Sequence, residues 1–199
     1  MNVFALDFET YYSKTFGFNK LTTEEYVRDR RFEIIGVGIW RGGRNYHGLA
    51  DAPADWFSGT KAQTQRFLDS FDWGNSIVIA HNAMFDMAVL NWHFDIRPYK
   101  IVDTLSMARA LHTIEVGGSL AALAEYYELG QKGHEVQDAL GKHRIDFTAQ
   151  ELEAYGRYCV NDAELTYKLF EQLVVGFPVS ELKLIDLTIR MFSEPVIEQ

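Results

Sequence analysis

The chain has 199 residues, of which 47% are hydrophobic, so it is long enough for one well-buried core and too short for two. A net charge of −9 argues against a broad basic surface for nucleic acid, but it does not exclude a nuclease whose acidic residues hold divalent cations. The single cysteine, Cys159, excludes an internal disulfide and a cysteine-based zinc cluster. Without a cationic start or a membrane-length apolar run, the sequence predicts a soluble, intracellular protein.

The first third of the sequence predicts a strand, a capped helix and a hairpin. Residues 2–9 read as a buried strand whose alternation places Asp7 and Glu9 on one face. The pattern Thr22-x-x-Glu25 is a capping box that opens a short helix. The runs 32–40 and 44–49 are strand-like, and Gly42-Gly43 between them predicts the tight turn of an antiparallel hairpin.

The rest of the sequence predicts one further strand and mostly helices. The apolar run 76–80 is typical of a strand buried on both faces. Helices are predicted over 63–71, 83–93, from the N-cap Asp103 to 111, from the N-cap Ser119 to 127, over 148–174 and over 180–192, with a polar, loop-rich stretch over 130–147. This order predicts an α/β fold, a mixed sheet of about five strands with helices on both faces.

Carboxylates stand at two places where strands of this sheet end. Asp7-Phe8-Glu9-Thr10 closes the first strand, and two carboxylates beside a buried segment need compensation that a shared cation supplies. Asn82 and Asp86 follow the strand 76–80, where ligand sites of open sheets gather. The alternatives are a polar strand end and an acidic first turn that serves the helix dipole.

A fourth carboxylate interrupts the apolar stripe of the long helix. Asp162 lies in line with Tyr155, Tyr158 and Leu165, on the side opposite the charged residues of that helix. Tyr158 lies one turn before it, so its hydroxyl can reach whatever Asp162 binds, although a tyrosine packed in the core is the alternative. Cys159 and His81 are interpreted as structural residues, and Asn82 as a hydrogen-bonding support.

Together these patterns resemble a known family. Asp7-x-Glu9, Asn82-x-x-x-Asp86 and Tyr158-x-x-x-Asp162 resemble the three exonuclease motifs of the DEDD superfamily, tyrosine subclass. Within it, the chain is similar to the proofreading domain of bacteriophage or bacterial family A DNA polymerases, and the similarity extends over nearly the whole chain. The histidine subclass would need a histidine at position 157, which is Arg.

The resemblance implies a ribonuclease H-like fold, a DNA 3′→5′ exonuclease and a divided set of roles. Asp7, Glu9 and Asp162 would hold one of two Mg²⁺ or Mn²⁺ ions, with Asp7 also bridging to the second ion. Asp86 would act mainly through bound water, and Tyr158 would orient the attacking water. Products would be 5′-mononucleotides cut from single-stranded or frayed DNA ends, in the cytoplasm of a bacterial cell or a phage-infected host.

Further expectations concern the substrate, the partner and the domain limits. The predicted substrate-binding residues are Thr10, Tyr11, Tyr12, Asn82, Phe85 and Lys132. The exonuclease domain is expected over 1–178, and 179–199 would be a C-terminal helix and tail leading to a DNA polymerase domain or subunit. Two alternatives stay open, an RNA-trimming exonuclease of the same subclass and a catalytically silent module that binds DNA or a polymerase.

Overall fold

The central element of the protein is a mixed five-stranded sheet. The computed structural model describes residues 1–42, 54–112, 115–131 and 139–194. The strands are β1 (Asn2–Thr10), β2 (Ile34–Gly42), β3 (Ala54–Phe57), β4 (Ser76–Ala80) and β5 (Lys100–Asp103). Their spatial order is β3-β2-β1-β4-β5, with β1 antiparallel to β2 and parallel to β4. This confirms the predicted mixed sheet.

Helices cover both faces of the sheet. They are α1 (Thr23–Arg28), α2 (Lys61–Leu68), α3 (Ala83–Phe94), α4 (Thr104–Leu111), α5 (Leu120–Tyr126), α6 (Ala149–Leu173) and α7 (Val179–Ser193). Capping boxes open α1, α2 and α6, because in each the N-cap threonine and an acidic or amide side chain three residues later bond each other's backbone N–H. The predicted N-caps Asp103 and Ser119 are confirmed.

Alternation along β1 divides the core into two layers. Phe4, Leu6 and Phe8 enter a cluster with buried side chains of α1, α2, α3 and α7. Ala5, with Val3 packed beside it, enters a second cluster formed with α4, α5 and α6. Asp7 and Glu9 continue this second face toward the end of the strand, so the carboxylates point to the side that α6 covers.

The predicted hairpin is correct in its first strand, but Gly42, which was predicted for the turn, belongs to that strand. Gly42 is still part of β2 and pairs with Val3. It has a packing role, since a Cβ there would lie 2.0 Å from the ring of Tyr167 on α6. Besides β1, β2 has a second antiparallel partner in β3, a strand that was not predicted, whereas Gly43 and the run 44–49 lie outside the described residues.

The last helix packs on the sheet edge formed by β5. The Asp186 carboxylate accepts a hydrogen bond of 2.9 Å from the backbone N–H of Ile101. The Arg190 guanidinium donates to the carbonyl oxygens of Pro98 and Tyr99 at 2.8 and 2.9 Å. α7 is therefore attached to the sheet, and a domain limit at 178 stays a prediction. Within the described segments, no helix is long and apolar enough to cross a bilayer.

Candidate active site

A cavity of about 690 Å³ lies where β1, α3 and α6 meet. Its lining includes all the acidic motif residues and the motif tyrosine, namely Asp7, Glu9, Asp86, Tyr158 and Asp162. These residues are up to 155 positions apart in the sequence, the difference between 7 and 162. The fold thus brings the three motifs together in one pocket, as the resemblance to the exonuclease motifs implies.

Strand β1 contributes the first pair of carboxylates. One ligand atom each from Asp7, Glu9 and Cys159 lies within 4.8 Å of the other two. Glu9 is 9% exposed, and its Oε2 accepts a hydrogen bond of 2.5 Å from the Tyr155 hydroxyl. The Cys159 thiol donates to the Asp7 main-chain oxygen at 3.2 Å and lies 3.6 Å from Asp7 Oδ2. Both carboxylates are therefore in contact with neutral donors from α6.

The third carboxylate is held by the sharp connection between β4 and α3. Asn82 has a left-handed conformation, with φ of 70°, and its backbone N–H donates to Asp103 Oδ1 at 2.9 Å. Asp86 follows in the first turn of α3 and accepts a hydrogen bond of 3.1 Å from the Phe8 backbone N–H. Burial, and secondly the charge of Asp7, raise the pKa of Asp86 well above its ordinary value. The contacts within the protein therefore do not fully offset the cost of burying the charge of Asp86.

Helix α6 contributes the last carboxylate and the tyrosine. Asp162 is 3% exposed and Tyr158 is 5% exposed, so both belong to the buried side of the helix. Burial raises the pKa of Tyr158 far above its ordinary value, and the nearby charge of Asp162, with which its hydroxyl is hydrogen-bonded, raises it further. Tyr158 is consequently a neutral hydroxyl that can donate a hydrogen bond.

The donor set of the cavity fits a hard divalent cation. Clustered carboxylate oxygens suit Mg²⁺ and Mn²⁺, whereas thiolates favour softer metals. Burial and the charge of Asp7 raise the pKa of the Cys159 thiol, which disfavours the thiolate that a metal would bind. A bound cation would also relieve the repulsion that raises the pKa of Asp86. Asp7, Glu9, Asp86 and Asp162 are thus the residues that could hold a metal.

The predicted substrate-binding residues are placed differently from one another. Thr10, Tyr12, Asn82 and Phe85 line the cavity. The Tyr11 ring instead stacks on His143, with ring centroids 4.0 Å apart. Lys132 lies outside the described residues. The cavity also includes residues that the sequence did not single out for this site, Lys14 and Asn19 in the loop after β1 and Leu140 before α6.

Three further polar residues support the site. His81 is hydrogen-bonded through its two ring nitrogens to the Thr104 hydroxyl and the Gly118 carbonyl, each at 2.9 Å, as its interpretation as a structural histidine implies. Tyr155 and Cys159 were assigned only to the core, and both contact a motif carboxylate. The sequence feature that could have identified Tyr155 is its hydroxyl, which lies in an apolar stripe one turn before Tyr158.

The sequence matches an enzyme family over most of its length. Residues 57–175, more than half of the chain, match the family model described as 3′-5′ exonuclease. Together with the acidic motifs and the cavity, this match defines the class. The chain belongs to the DEDD family of 3′-5′ exonucleases, of the kind found with family A DNA polymerases. No curated protein sequence matches the chain.

Solved structures of similar shape show the fold. Trypanosoma brucei RNase D has a TM-score of 0.67 and 14% identity, over 99% of this chain and 68% of that one. Brucella melitensis NrnC has a TM-score of 0.66 and 16% identity, over 96% and 83%. The catalytic core of Trypanosoma brucei RRP6 has a TM-score of 0.62 and 14% identity, over 98% of this chain and 49% of that one. This chain thus spans about half of the RRP6 core. These similarities confirm the ribonuclease H-like fold.

Proposed function

We propose that the protein is a metal-dependent 3′→5′ exonuclease that releases 5′-mononucleotides from single-stranded or frayed DNA ends and proofreads for a DNA polymerase. The observation that carries this proposal is the convergence of Asp7, Glu9, Asp86 and Asp162, with Tyr158, on one cavity. Membership in the 3′-5′ exonuclease family supports the reaction and its direction. A polymerase domain or subunit would be the partner, and the DNA 3′ end the substrate.

The acidic residues would hold the metal ions in two ways, by direct contact and through bound water. Asp7, Glu9 and Asp162 would hold the first of two cations and Asp7 would also face the second, while Asp86 would act through bound water. When bound, divalent cations acidify a water molecule and stabilise negative charge on the departing 3′-oxygen. The carboxylates fix where this chemistry takes place, because β1 and α6 are rigid parts of the fold.

Tyr158 would orient the attacking water. In the metal-free protein its hydroxyl is neutral, because burial and the charge of Asp162 raise its pKa. A neutral hydroxyl beside the carboxylates can hold a water molecule by a hydrogen bond without adding charge. It therefore positions the nucleophile, while the proton of the water passes to solvent or to a carboxylate.

The cavity can also hold the unpaired end of a strand. Tyr12, Phe18 and Phe85 line it, and 52% of the Phe18 surface is exposed. Bases stack on such rings with little dependence on base identity, as proofreading requires. Asn82 and Thr10, which also line the cavity, are proposed to contact the sugar or the phosphate.

The test is hydrolysis of 5′-labelled single-stranded DNA with and without Mg²⁺. The wild-type protein should give a ladder of products shortened from the 3′ end only when the metal is present. Asp7→Ala and Asp162→Ala should lose nearly all activity, because each removes a proposed metal ligand. Tyr158→Phe should keep Mn²⁺ binding and lose activity on the order of 10²-fold, as for a group that acts on the reacting water. Undiminished hydrolysis in Asp7→Ala would refute the proposal.

A second candidate keeps the reaction and changes the substrate to RNA. Trypanosoma brucei RNase D, one of the similar structures, has been solved in complex with RNA U12, and this observation favours the candidate. Discrimination would depend on a contact to the 2′-hydroxyl of the terminal nucleotides. Matched DNA and RNA oligonucleotides of one sequence decide between the two. Faster shortening of the DNA supports proofreading, and faster shortening of the RNA supports RNA trimming.

A further inference from the structure

Two neutral hydrogen-bond donors of α6 face the two carboxylates of β1 in register. Tyr155 and Cys159 are four residues apart, a rise of about 6 Å along a helix. Asp7 and Glu9 are two residues apart, an advance of about 6.8 Å along a strand. These two spacings nearly agree, and the Tyr155 hydroxyl reaches Glu9 while the Cys159 thiol reaches Asp7. Each of the two carboxylates of β1 therefore has its own donor on α6.

The Tyr155 hydroxyl is directed at Glu9 by a tightly packed ring. The residue is 3% exposed, and its ring stacks on Phe147 with centroids 5.6 Å apart and planes 7° apart. Its oxygen lies 2.5 Å from Glu9 Oε2. The hydroxyl is the donor in this contact, because an ionised carboxylate can only accept a hydrogen bond. A ring held this firmly gives the carboxylate little freedom to rotate.

Glycines in β2 let α6 come close enough for these contacts. A Cβ on Gly38, which pairs with Asp7 across the sheet, would lie 2.8 Å from Cys159 Sγ and 3.1 Å from the Cys159 backbone. The helix therefore lies almost directly on the strand next to the carboxylates. A side chain at that position would therefore require Cys159, or the helix that carries it, to shift.

We propose that Tyr155 is a positioning residue that holds the Glu9 carboxylate in the orientation required for divalent-metal binding, and that Cys159 does the same for Asp7. This inference rests on the proposed metal-dependent nuclease function. Carboxylates that share a small volume repel one another, and without a cation they would rotate apart. Neutral donors stabilise their charge and fix their direction without competing for the metal. Such supporting partners typically contribute 10- to 100-fold, as an order of magnitude, in metal affinity or activity.

The test is a titration of the whole chain with Mn²⁺ alone, with no nucleic acid present. Binding is measured by isothermal titration calorimetry or electron paramagnetic resonance. Tyr155→Phe keeps the ring and removes the hydroxyl, and it should weaken Mn²⁺ binding roughly 10-fold or more. Activity should then recover at high Mn²⁺ concentration. The matched control is Tyr127→Phe, which removes a hydroxyl bonded to His112 at 2.7 Å and should leave Mn²⁺ binding unchanged.

A double-mutant cycle shows whether Tyr155 acts through Glu9. In the background of Glu9→Gln, Tyr155→Phe should cause little further loss of Mn²⁺ affinity, because the carboxylate it positions is gone. Cys159→Ala should weaken Mn²⁺ binding and Cys159→Ser should restore it, and this pair keeps the proposal testable if Tyr155→Phe does not fold. Thermal unfolding of each variant identifies losses that come from misfolding.

The outcomes separate this inference from the proposed function. If the wild-type protein binds no Mn²⁺ and shortens no DNA or RNA, the nuclease function itself fails. If the wild type binds Mn²⁺ and folded Tyr155→Phe binds it equally well, the positioning role is wrong and the function stands. The role is also overturned if Tyr155→Phe loses activity that no Mn²⁺ concentration restores, since the hydroxyl would then act on the substrate.

Discussion

Asp86 is the most deeply buried of the four cavity carboxylates, at 2% exposed. Burying its charge lowers the stability of the folded protein, and the proposed function requires that charge. Its hydrogen bond from the Phe8 N–H offsets part of the cost of burial. The remaining cost is reflected in its pKa, which burial and Asp7 raise well above the ordinary value of 3.8. At neutral pH the metal-free protein would therefore be more stable if the Asp86 carboxylate were protonated or exposed to water.

This cost predicts a pH dependence of stability for the metal-free protein. Between the unfolded pKa of Asp86 and its higher folded pKa, the folded state binds more protons, so the free energy of unfolding falls as pH rises through that window. Asp86→Asn keeps an oxygen for the Phe8 N–H and removes the charge. It should increase the free energy of unfolding at pH 7 by ~1–3 kcal/mol and flatten its pH dependence.

Denaturant unfolding in EDTA from pH 4 to pH 8 measures this effect, and nuclease assays of the same variant should show lost activity. Asp95→Asn, on an exposed carboxylate, is the control and should follow the wild-type pH profile. A variant no more stable than the wild type at pH 7 would contradict the assigned cost.

At the scale of elements, the fit between α6 and β2 depends on two glycines with different neighbours. At Gly38 a Cβ would meet the Cys159 sulfur and backbone, and the helix backbone cannot move aside alone. At Gly42 the three nearest atoms all belong to the ring of Tyr167, which is a side chain. Gly38→Ala should therefore destabilise the protein by ~1–3 kcal/mol and also weaken Mn²⁺ binding, because it pushes α6 off the carboxylates.

Gly42→Ala serves as the matched comparison in the same strand. It should destabilise the fold through the Tyr167 contact and leave Mn²⁺ affinity close to that of the wild type. Chemical denaturation and Mn²⁺ titration of both variants give the two readouts. Equal loss of Mn²⁺ affinity in both would mean that the effect is general loosening, with no special role for the close approach at Gly38.

Elements with strong local signals could be predicted from the sequence, and the two four-residue strands could not. The capping boxes at Thr22 and Thr148 have a local cause, so helix starts followed from residue identities. β3 and β5 have four residues each and owe their strand geometry to pairing with distant neighbours. The cavity carboxylates were predictable because chemistry restricts them to Asp and Glu. Tyr155 was not, since only tertiary packing directs its hydroxyl to Glu9.

At the scale of the whole molecule, metal binding should appear as stability. The sequence has a net charge of −9, and several of its carboxylates are gathered in one cavity of the folded state. The unfolded chain disperses them, so a divalent cation binds the folded state preferentially and stabilises it. At a Mn²⁺ concentration of 100 times the dissociation constant, the gain should be about 2.7 kcal/mol. For a chain of this size that corresponds to a rise in Tm of roughly 5–10 °C.

Thermal unfolding with increasing Mn²⁺, at an ionic strength held constant with NaCl, isolates this effect from screening of the net charge, which acts on any acidic protein. EDTA should return Tm to its starting value. The double variant Asp7→Asn with Asp162→Asn has lost two proposed ligands. In EDTA its Tm should be equal to or higher than that of the wild type, because it holds fewer buried charges. Its Tm should rise almost not at all with Mn²⁺. If the double variant rises as far as the wild type, the cation binds elsewhere on the acidic surface, and the cavity is not the metal site. A rise confined to the wild type means that the charge cluster which destabilises the metal-free fold is the same cluster that the metal stabilises.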